Sequence, residues 1–349
     1  MSRAASLTIG RPIGPGHPPF VIAELSANHL GSLERALAII DAAADAGCDA
    51  LKLQTFTPAS MTIDSTRGDF HIKDGPWQGR SLWELYGEAH TPLDWHARLF
   101  AHGAARGLVV FSTPFDEIAV EHLDRLGAPA FKIASFELVD LELIAFAAQT
   151  GKPLIMSTGM ASDAEVAEAV DTARSHGNGG VALLHCVSGY PTPIEQTNLR
   201  RLDAIAAYGP VFGISDHSPG AIVPIAAVAR GASIVEKHLT LARGDGGPDA
   251  GFSLEPAEMA EVVRGARLAW SALGDGSAQR PEAEAGSRKL RRSLYAVDDI
   301  ALGQELTRNN VRSIRPGAGL PPRELPAVIG KRAAVAIERG TPLAWELIR

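Results

Sequence analysis

Short apolar runs rich in Val, Ile, Leu and Phe alternate along this chain with longer Ala-rich stretches whose apolar residues recur every three or four positions. The first pattern is that of a buried strand, the second that of a helix with one buried face. Eight runs read as strands: 20–28, 50–56, 108–114, 130–137, 153–159, 181–188, 211–218 and 233–240. Between them, stretches such as 33–47 and 163–177 read as helices, each opening near a capping Ser or Asp and closing at a glycine.

Strict alternation of strand and helix predicts a parallel sheet, because parallel strands need a crossover between them. Eight repeats over roughly 250 residues match an α/β fold of the (β/α)8 TIM-barrel type. A doubly wound open sheet is the competing architecture. The way the strands end favours the barrel. Glu24 with Asn28 and His29, Lys52 with Gln54, and Ser112 with Thr113 close the first three. Lys132 with Ser135 and Glu137, Ser157 with Thr158, and His185 with Ser188 close the next three. Ser215 with Asp216 and His217, then Glu236 with Lys237 and His238, close the last two. In a barrel the carboxyl ends of all strands converge on one face, and active sites are built there. A structural account would need one or two such ends, not eight.

Two segments depart from the rhythm. Residues 57–92 form a long connection rich in Gly, Asp and Trp, the length of a lid or binding loop; a decorative insertion is the plain alternative. After 258–276 the pattern fades into a polar stretch that reads as a linker. The expected division is a barrel over 1–276, a linker over 277–291 and a small domain over 292–349. The small domain carries an internal echo, Ile300-x-x-Gly303-x-x-Leu306 and Ile337-x-x-Gly340-x-x-Leu343, which suggests a pseudo-twofold module. At this size it would be marginal alone, so it is expected to dock on something.

Composition narrows the classes. A net charge of −7 argues against a nucleic-acid binder, which usually presents a basic face. No apolar stretch is long enough to span a membrane, and the first twenty residues lack the apolar core of a signal peptide. The two cysteines, Cys48 and Cys186, lie in apolar surroundings and read as buried free thiols, which suits a reducing cytoplasm. No glycine-rich phosphate loop of nucleotide enzymes follows the first strand.

Three groups of residues carry chemistry. His217 and His238 end neighbouring strands, so both imidazoles can face one point, the usual beginning of a divalent transition-metal site. Lys52 and Lys132 are lysines on otherwise apolar strands, where an unpaired ammonium is costly. With Thr113, Ser135, Ser157 and Ser215 they offer the charges and short donors that a phosphate and a carboxylate require; a structural salt bridge is the alternative. Glu24 could serve as base, ligand or partner to a lysine, and its position does not separate these roles. The His185-Cys186 pair could suggest a nucleophile, but neighbours on a strand face opposite ways, so Cys186 is read as packing.

These motifs resemble the sialic acid synthase family. Those that carry the likeness are "AELSANHLGS", "LKLQTF", "FSTPFD", "FKIASFE", "PLIMSTGM", "LLHCVSGYPTP", "GISDHSPG", "VEKHLT", "GGPDAGFSLEP" and "IRPGAG", in order over almost the whole chain. The resemblance implies a barrel with a C-terminal antifreeze-like SAF domain, acting as a transferase that condenses phosphoenolpyruvate with an open-chain amino sugar. It also implies a homodimer in which the small domain of one chain caps the barrel of the other. By the same resemblance, Lys52, Thr113, Lys132, Ser135, Ser157 and Ser215 hold phosphoenolpyruvate. His217 and His238 hold Mn²⁺ or Mg²⁺, and Glu24 is the acid/base or water-positioning carboxylate. Gln54, Glu137, Tyr190 and Asp249 contact sugar or water, and Arg315 reaches the sugar of the partner chain.

Departures from the family's neuraminate pattern point to a subtype. Phe136 stands where that pattern has glycine, and "AELSANH" replaces "AEIGINH". An apolar wall suits a 6-deoxy sugar better than a polyhydroxylated tail, and the resemblance implies that this sugar is 2,4-diacetamido-2,4,6-trideoxy-L-altrose. An N-acetylmannosamine-type or legionaminate-type substrate is the alternative within the family, and a non-catalytic carbohydrate-binding SAF protein the alternative outside it. A Schiff-base aldolase is the weakest rival.

Overall fold

The computed structural model describes residues 6–349, which divide into two compact units, one running to Gly274 and the other spanning Asp275–Arg349. The first unit opens with an element that the sequence pattern did not predict: β1 (Leu7–Ile9) and β2 (Arg11–Ile13) pair as an antiparallel hairpin. All eight expected strands then form: β3 (Phe20–Glu24), β4 (Ala50–Thr55), β5 (Val109–Pro114), β6 (Phe131–Ile133), β7 (Leu154–Ser157), β8 (Val181–Cys186), β9 (Phe212–Ser215) and β10 (Ile234–His238). They are parallel and close in the order β10-β3-β4-β5-β6-β7-β8-β9, so the sheet is a barrel and not an open doubly wound sheet. Several expected strands ran past the observed ends, because their last polar residues already belong to the turns over the mouth.

The helices form for local reasons. Leu33–Asp45 starts at Ser32, whose hydroxyl accepts from the Arg35 N–H, and buries Ala36, Ile39, Ile40 and Ala43 at i, i+3, i+4, i+7 spacing. Asp163–His176 opens with a reciprocal Ser162–Glu165 capping box and buries Val166, Ala169, Val170 and Ala173. These faces pack on the outward side chains of the strands as one large apolar layer. Truncating a residue such as Ile39 to Ala would cost about 2–5 kcal/mol.

A second apolar cluster fills the barrel's lower interior. Phe20, Ile22, Ala50, Phe111, Ala130, Ile155, Ala182, Leu184 and Ile234 meet there, with Leu7, Ile9 and Ile13 of the hairpin closing the amino-terminal end. Moving up each strand by two residues, the inward positions change character: Ile22 gives way to Glu24, Ala50 to Lys52, Ala130 to Lys132, Ile155 to Ser157, Ile234 to Glu236. The carboxyl end of the barrel is therefore polar at its centre.

In the second unit β11 (Ser293–Ala296) pairs antiparallel with β12 (Val311–Ile314). Residues 277–291, read as a linker, fall within this unit and hold a 3-10 turn, Glu282–Glu284, that runs into a short helix, Ala285–Arg288. The core of the unit gathers Leu294, Ile300, Leu306, Val311, Val328, Ala333, Ile337 and Leu343. The sequence echo has a structural counterpart. Ile300 and Ile337 exchange both backbone hydrogen bonds, at 2.8 and 2.9 Å, and Gly303 and Gly340 both adopt positive φ. No helix among the described residues is long and apolar enough to cross a membrane.

Candidate functional site

The barrel mouth opens into a cavity of about 440 Å³. Lys52, Gln54, Lys132, Ser135, Glu137, Ser157, Tyr190, Ser215, His217, His238 and Asp249, all expected at the site, line it together. Glu24 and Thr113 lie one layer back against Lys52, whose Nζ is 2.5 Å from Glu24 Oε2 and donates to Thr113 Oγ1 at 3.3 Å.

Glu236, expected as a polar strand end and as one of the carboxylates near the histidine pair but not among the site residues, is central. Its Oε1 lies 3.5 Å from Lys52 Nζ and 3.7 Å from Lys132 Nζ, and accepts from the Ser215 hydroxyl at 2.9 Å. Its period-two spacing before His238 was the signal available for it. Glu24, Lys52, Lys132 and Glu236 are at most 4% exposed, so two cations and two carboxyls balance in one buried layer. Burial raises Glu24 to about 7 against the pull of Lys52. Burial would raise Glu236 too, but Lys132, Lys52 and the Ser215 hydroxyl outweigh it and hold the group down. Burial lowers Lys132 despite Glu236 nearby.

The Ser157 hydroxyl and Glu137 Oε2 are buried without a partner. Burial also raises Glu137, to about 7. Ser135 Oγ accepts from the Gly159 N–H at 3.1 Å. A side chain at Gly159 would collide with that hydroxyl and with Ser188 Oγ, so the close approach requires glycine.

The histidines stand beside this layer, their ring centroids 5.3 Å apart. His217 Nδ1 lies 3.0 Å from Val187 O. A carbonyl only accepts, so Nδ1 carries a proton and Nε2 is the nitrogen free to act as a ligand. Burial pushes this ring down, but Cys186 and the Val187 carbonyl outweigh it and raise it. His238 Nδ1 is buried without a partner, and burial followed by the nearby His217 holds this ring well below the ordinary histidine range. Two facing imidazoles, one with an orphaned nitrogen, fit a divalent metal. Among the described residues no group of three His, Cys, Asp or Glu is arranged to hold one. The pair therefore fits an open site completed by substrate or water.

Asp249 closes another side. It accepts from the Ser26 hydroxyl, which also accepts from Gln54 Nε2 at 3.2 Å. Ser26 has φ of 50°, a left-handed backbone uncommon for a non-glycine residue, and its N–H donates to Glu24 Oε1 at 2.9 Å.

Residues 57–92 supply much of the remaining wall. Met61, Ile72, Leu82, Leu85 and Tyr86 join Phe56, Phe115 and Phe136 in an apolar lobe. Trp77, from the same segment, donates to Pro248 O at 2.7 Å and packs on Tyr190 and Phe252. Phe252 in turn packs edge-on against His238. The segment is a wall of the site, and the sequence could not assign its individual residues because their partners are remote in the chain.

Strand alternation corrects one reading. Cys186 lines the cavity, its Sγ 4.0 Å from His217 Nδ1, so it is not simply a packing residue. His185 is the one that turns away, its Nε2 2.7 Å from Thr197 O. Asp216 also points outward, to Lys237. Arg315 lies in the second unit, exposed just beyond β12.

A closed parallel barrel with buried lysines, carboxyls and a histidine pair at its mouth defines a (β/α)8 enzyme built to handle an anionic substrate. The chain belongs to the NeuB family, which matches residues 39–278, and residues 291–349 match the SAF domain. It is 42% identical over 325 residues to the pseudaminic acid synthase of Campylobacter jejuni subsp. jejuni serotype O:23/36, covering 93% of this chain and 95% of that one. It is 40% identical to the pseudaminic acid synthase of Helicobacter pylori, covering 94% and 97%. The crystal structure of an N-acetylneuraminic acid synthetase from Leptospira borgpetersenii superposes with a TM-score of 0.73 at 32% identity, covering 81% of this chain and 94% of that one.

Proposed function

We propose that this chain is a pseudaminic acid synthase. It joins phosphoenolpyruvate, 2,4-diacetamido-2,4,6-trideoxy-L-altrose and water, and releases pseudaminic acid and inorganic phosphate. The observation that carries this reading is one cavity with two halves. Buried Lys52 and Lys132 suit a phosphate and a carboxylate, and the apolar lobe of residues 57–92 suits a methyl terminus and acetamido methyls. The higher identity to pseudaminic acid synthases than to the neuraminic acid synthetase supports the same choice.

Lys52 and Lys132, with Ser135, Ser157 and Ser215, hold phosphoenolpyruvate so that its C3 faces the aldehyde carbon of the open-chain sugar. C3 attacks that carbon, and the aldehyde oxygen gains the proton carried by Glu24, relayed by Lys52. Water adds at C2 and returns a proton to Glu24 by the same route. The tetrahedral carbon then expels phosphate by breaking its C–O bond. His217 and His238 would hold the divalent metal, which supplies Lewis acidity toward the aldehyde. Imidazole donors favour Mn²⁺ over the oxygen-seeking Mg²⁺. Gln54, Glu137, Tyr190 and Asp249 border the sugar. Arg315 of a second copy completes the site in a domain-swapped homodimer. The free buried thiols Cys48 and Cys186 support a cytoplasmic enzyme.

Mass spectrometry of products from phosphoenolpyruvate and a panel of amino sugars tests the proposal. Pseudaminic acid should form with the altrose at the highest kcat/KM. A higher value with N-acetylmannosamine would overturn it.

A further inference from the structure

The seam between β9 and β10 is closed by three successive side-chain pairs. Ser215 stands in register with Glu236, and the Asp216 N–H donates to Glu236 O at 3.0 Å. Both inward pairs, Ser215–Glu236 and His217–His238, face the cavity. The pair between them faces outward: Lys237 Nζ lies 2.9 Å from Asp216 Oδ2 and also donates to the Ser218 carbonyl. Asp216 further accepts from the Ser218 N–H and hydroxyl, both at 3.0 Å. Asp216 and Lys237 are 4% and 1% exposed.

β9 ends at Ser215, so regular strand pairing does not fix His217. Its backbone is instead part of a turn folded around the Asp216 carboxylate, and that carboxylate is tied to the residue before His238. We propose that the Asp216–Lys237 pair is a positioning device that sets the spacing of His217 and His238, and so the affinity of the divalent cation they hold. This rests on the metal reading given above. A purely stabilising role would not need charge, since a buried ion pair can often be replaced by apolar side chains without loss of stability.

The test measures Mn²⁺ affinity by electron paramagnetic resonance on full-length protein without substrates. Variants are Lys237→Met, the double Asp216→Leu/Lys237→Met, and Lys237→Arg, with His217→Ala as reference. The double variant leaves no unpaired buried charge, which guards against simple unfolding. The dissociation constant should rise about tenfold or more in Lys237→Met and the double variant, and stay within about threefold in Lys237→Arg. Phosphoenolpyruvate affinity, measured without metal, should not change. Wild-type Mn²⁺ affinity in the folded double variant, with loss in His217→Ala, would overturn the positioning role and leave the metal reading standing. Wild-type affinity in His217→Ala would overturn both.

Discussion

Lys52 Nζ and Glu24 Oε2 form an ion pair of 2.5 Å inside the barrel, with both side chains buried. An incoming phosphoenolpyruvate competes for the same ammonium. Once Lys52 turns to the ligand, Glu24 loses the partner that opposes its burial, and its already raised pKa rises further. Binding should therefore take up protons near neutral pH. Calorimetry in buffers of different ionisation enthalpy should give a positive slope in wild type and a slope near zero in Glu24→Gln. A flat wild-type response would count against the coupling.

His217→Ala and His238→Ala should each lower metal-dependent phosphate release by about a thousandfold, the rate equivalent of roughly 4 kcal/mol of lost electrophilic assistance. Turnover within tenfold of wild type in either variant would remove that residue from the metal site.

The barrel was legible because its signals are local: an apolar run, a capping residue and a closing glycine lie within a few positions of one another. Polar strand ends located the mouth in the same way. Which of those ends face inward was less legible. Cys186 and His185 exchange roles once the phase of β8 is known, and Glu236 joins the site by that same two-residue period. The apolar lobe was hidden for another reason. Trp77 meets Pro248 across 171 positions, a contact that no sequence window contains.

Glu137 makes a prediction about stability. Burial raises its pKa from 4.5 to about 7 in the fold. Below the unfolded value the group is protonated in both states, and the neutral form's favourable burial is fully present. That contribution is lost as pH rises through the folded value, and above it the fold carries a penalty of roughly 3 kcal/mol. Glu137→Gln should therefore raise Tm at pH 8 and leave it nearly unchanged near pH 4.5, as calorimetry would record. An equal shift at both pH values would contradict the assignment.

Trp77 ties residues 57–92 to the loop that carries Asp249 through its hydrogen bond to Pro248 O. Trp77→Phe keeps an aromatic ring against Tyr190 and Phe252 but removes the donor. The KM for the sugar should rise about tenfold, one hydrogen bond's worth, while the KM for phosphoenolpyruvate stays within about twofold. Equal changes in both would mean that the segment acts on the whole mouth.

Complementation distinguishes a swapped dimer from a chain that completes its own site. Arg315→Ala removes the guanidinium from the second unit, and His217→Ala damages the barrel. In a swapped heterodimer, the barrel with intact His217 receives the unit with intact Arg315, and the other barrel has both defects. Random exchange of subunits makes about half the dimers mixed, each with one sound site of two, so about a quarter of wild-type activity should return. If each chain instead used its own Arg315, every site in the mixture would keep one defect. Activity after mixing would then stay at the level of the separate variants. Mixing the two after mild dissociation and assaying phosphate release reads the difference directly.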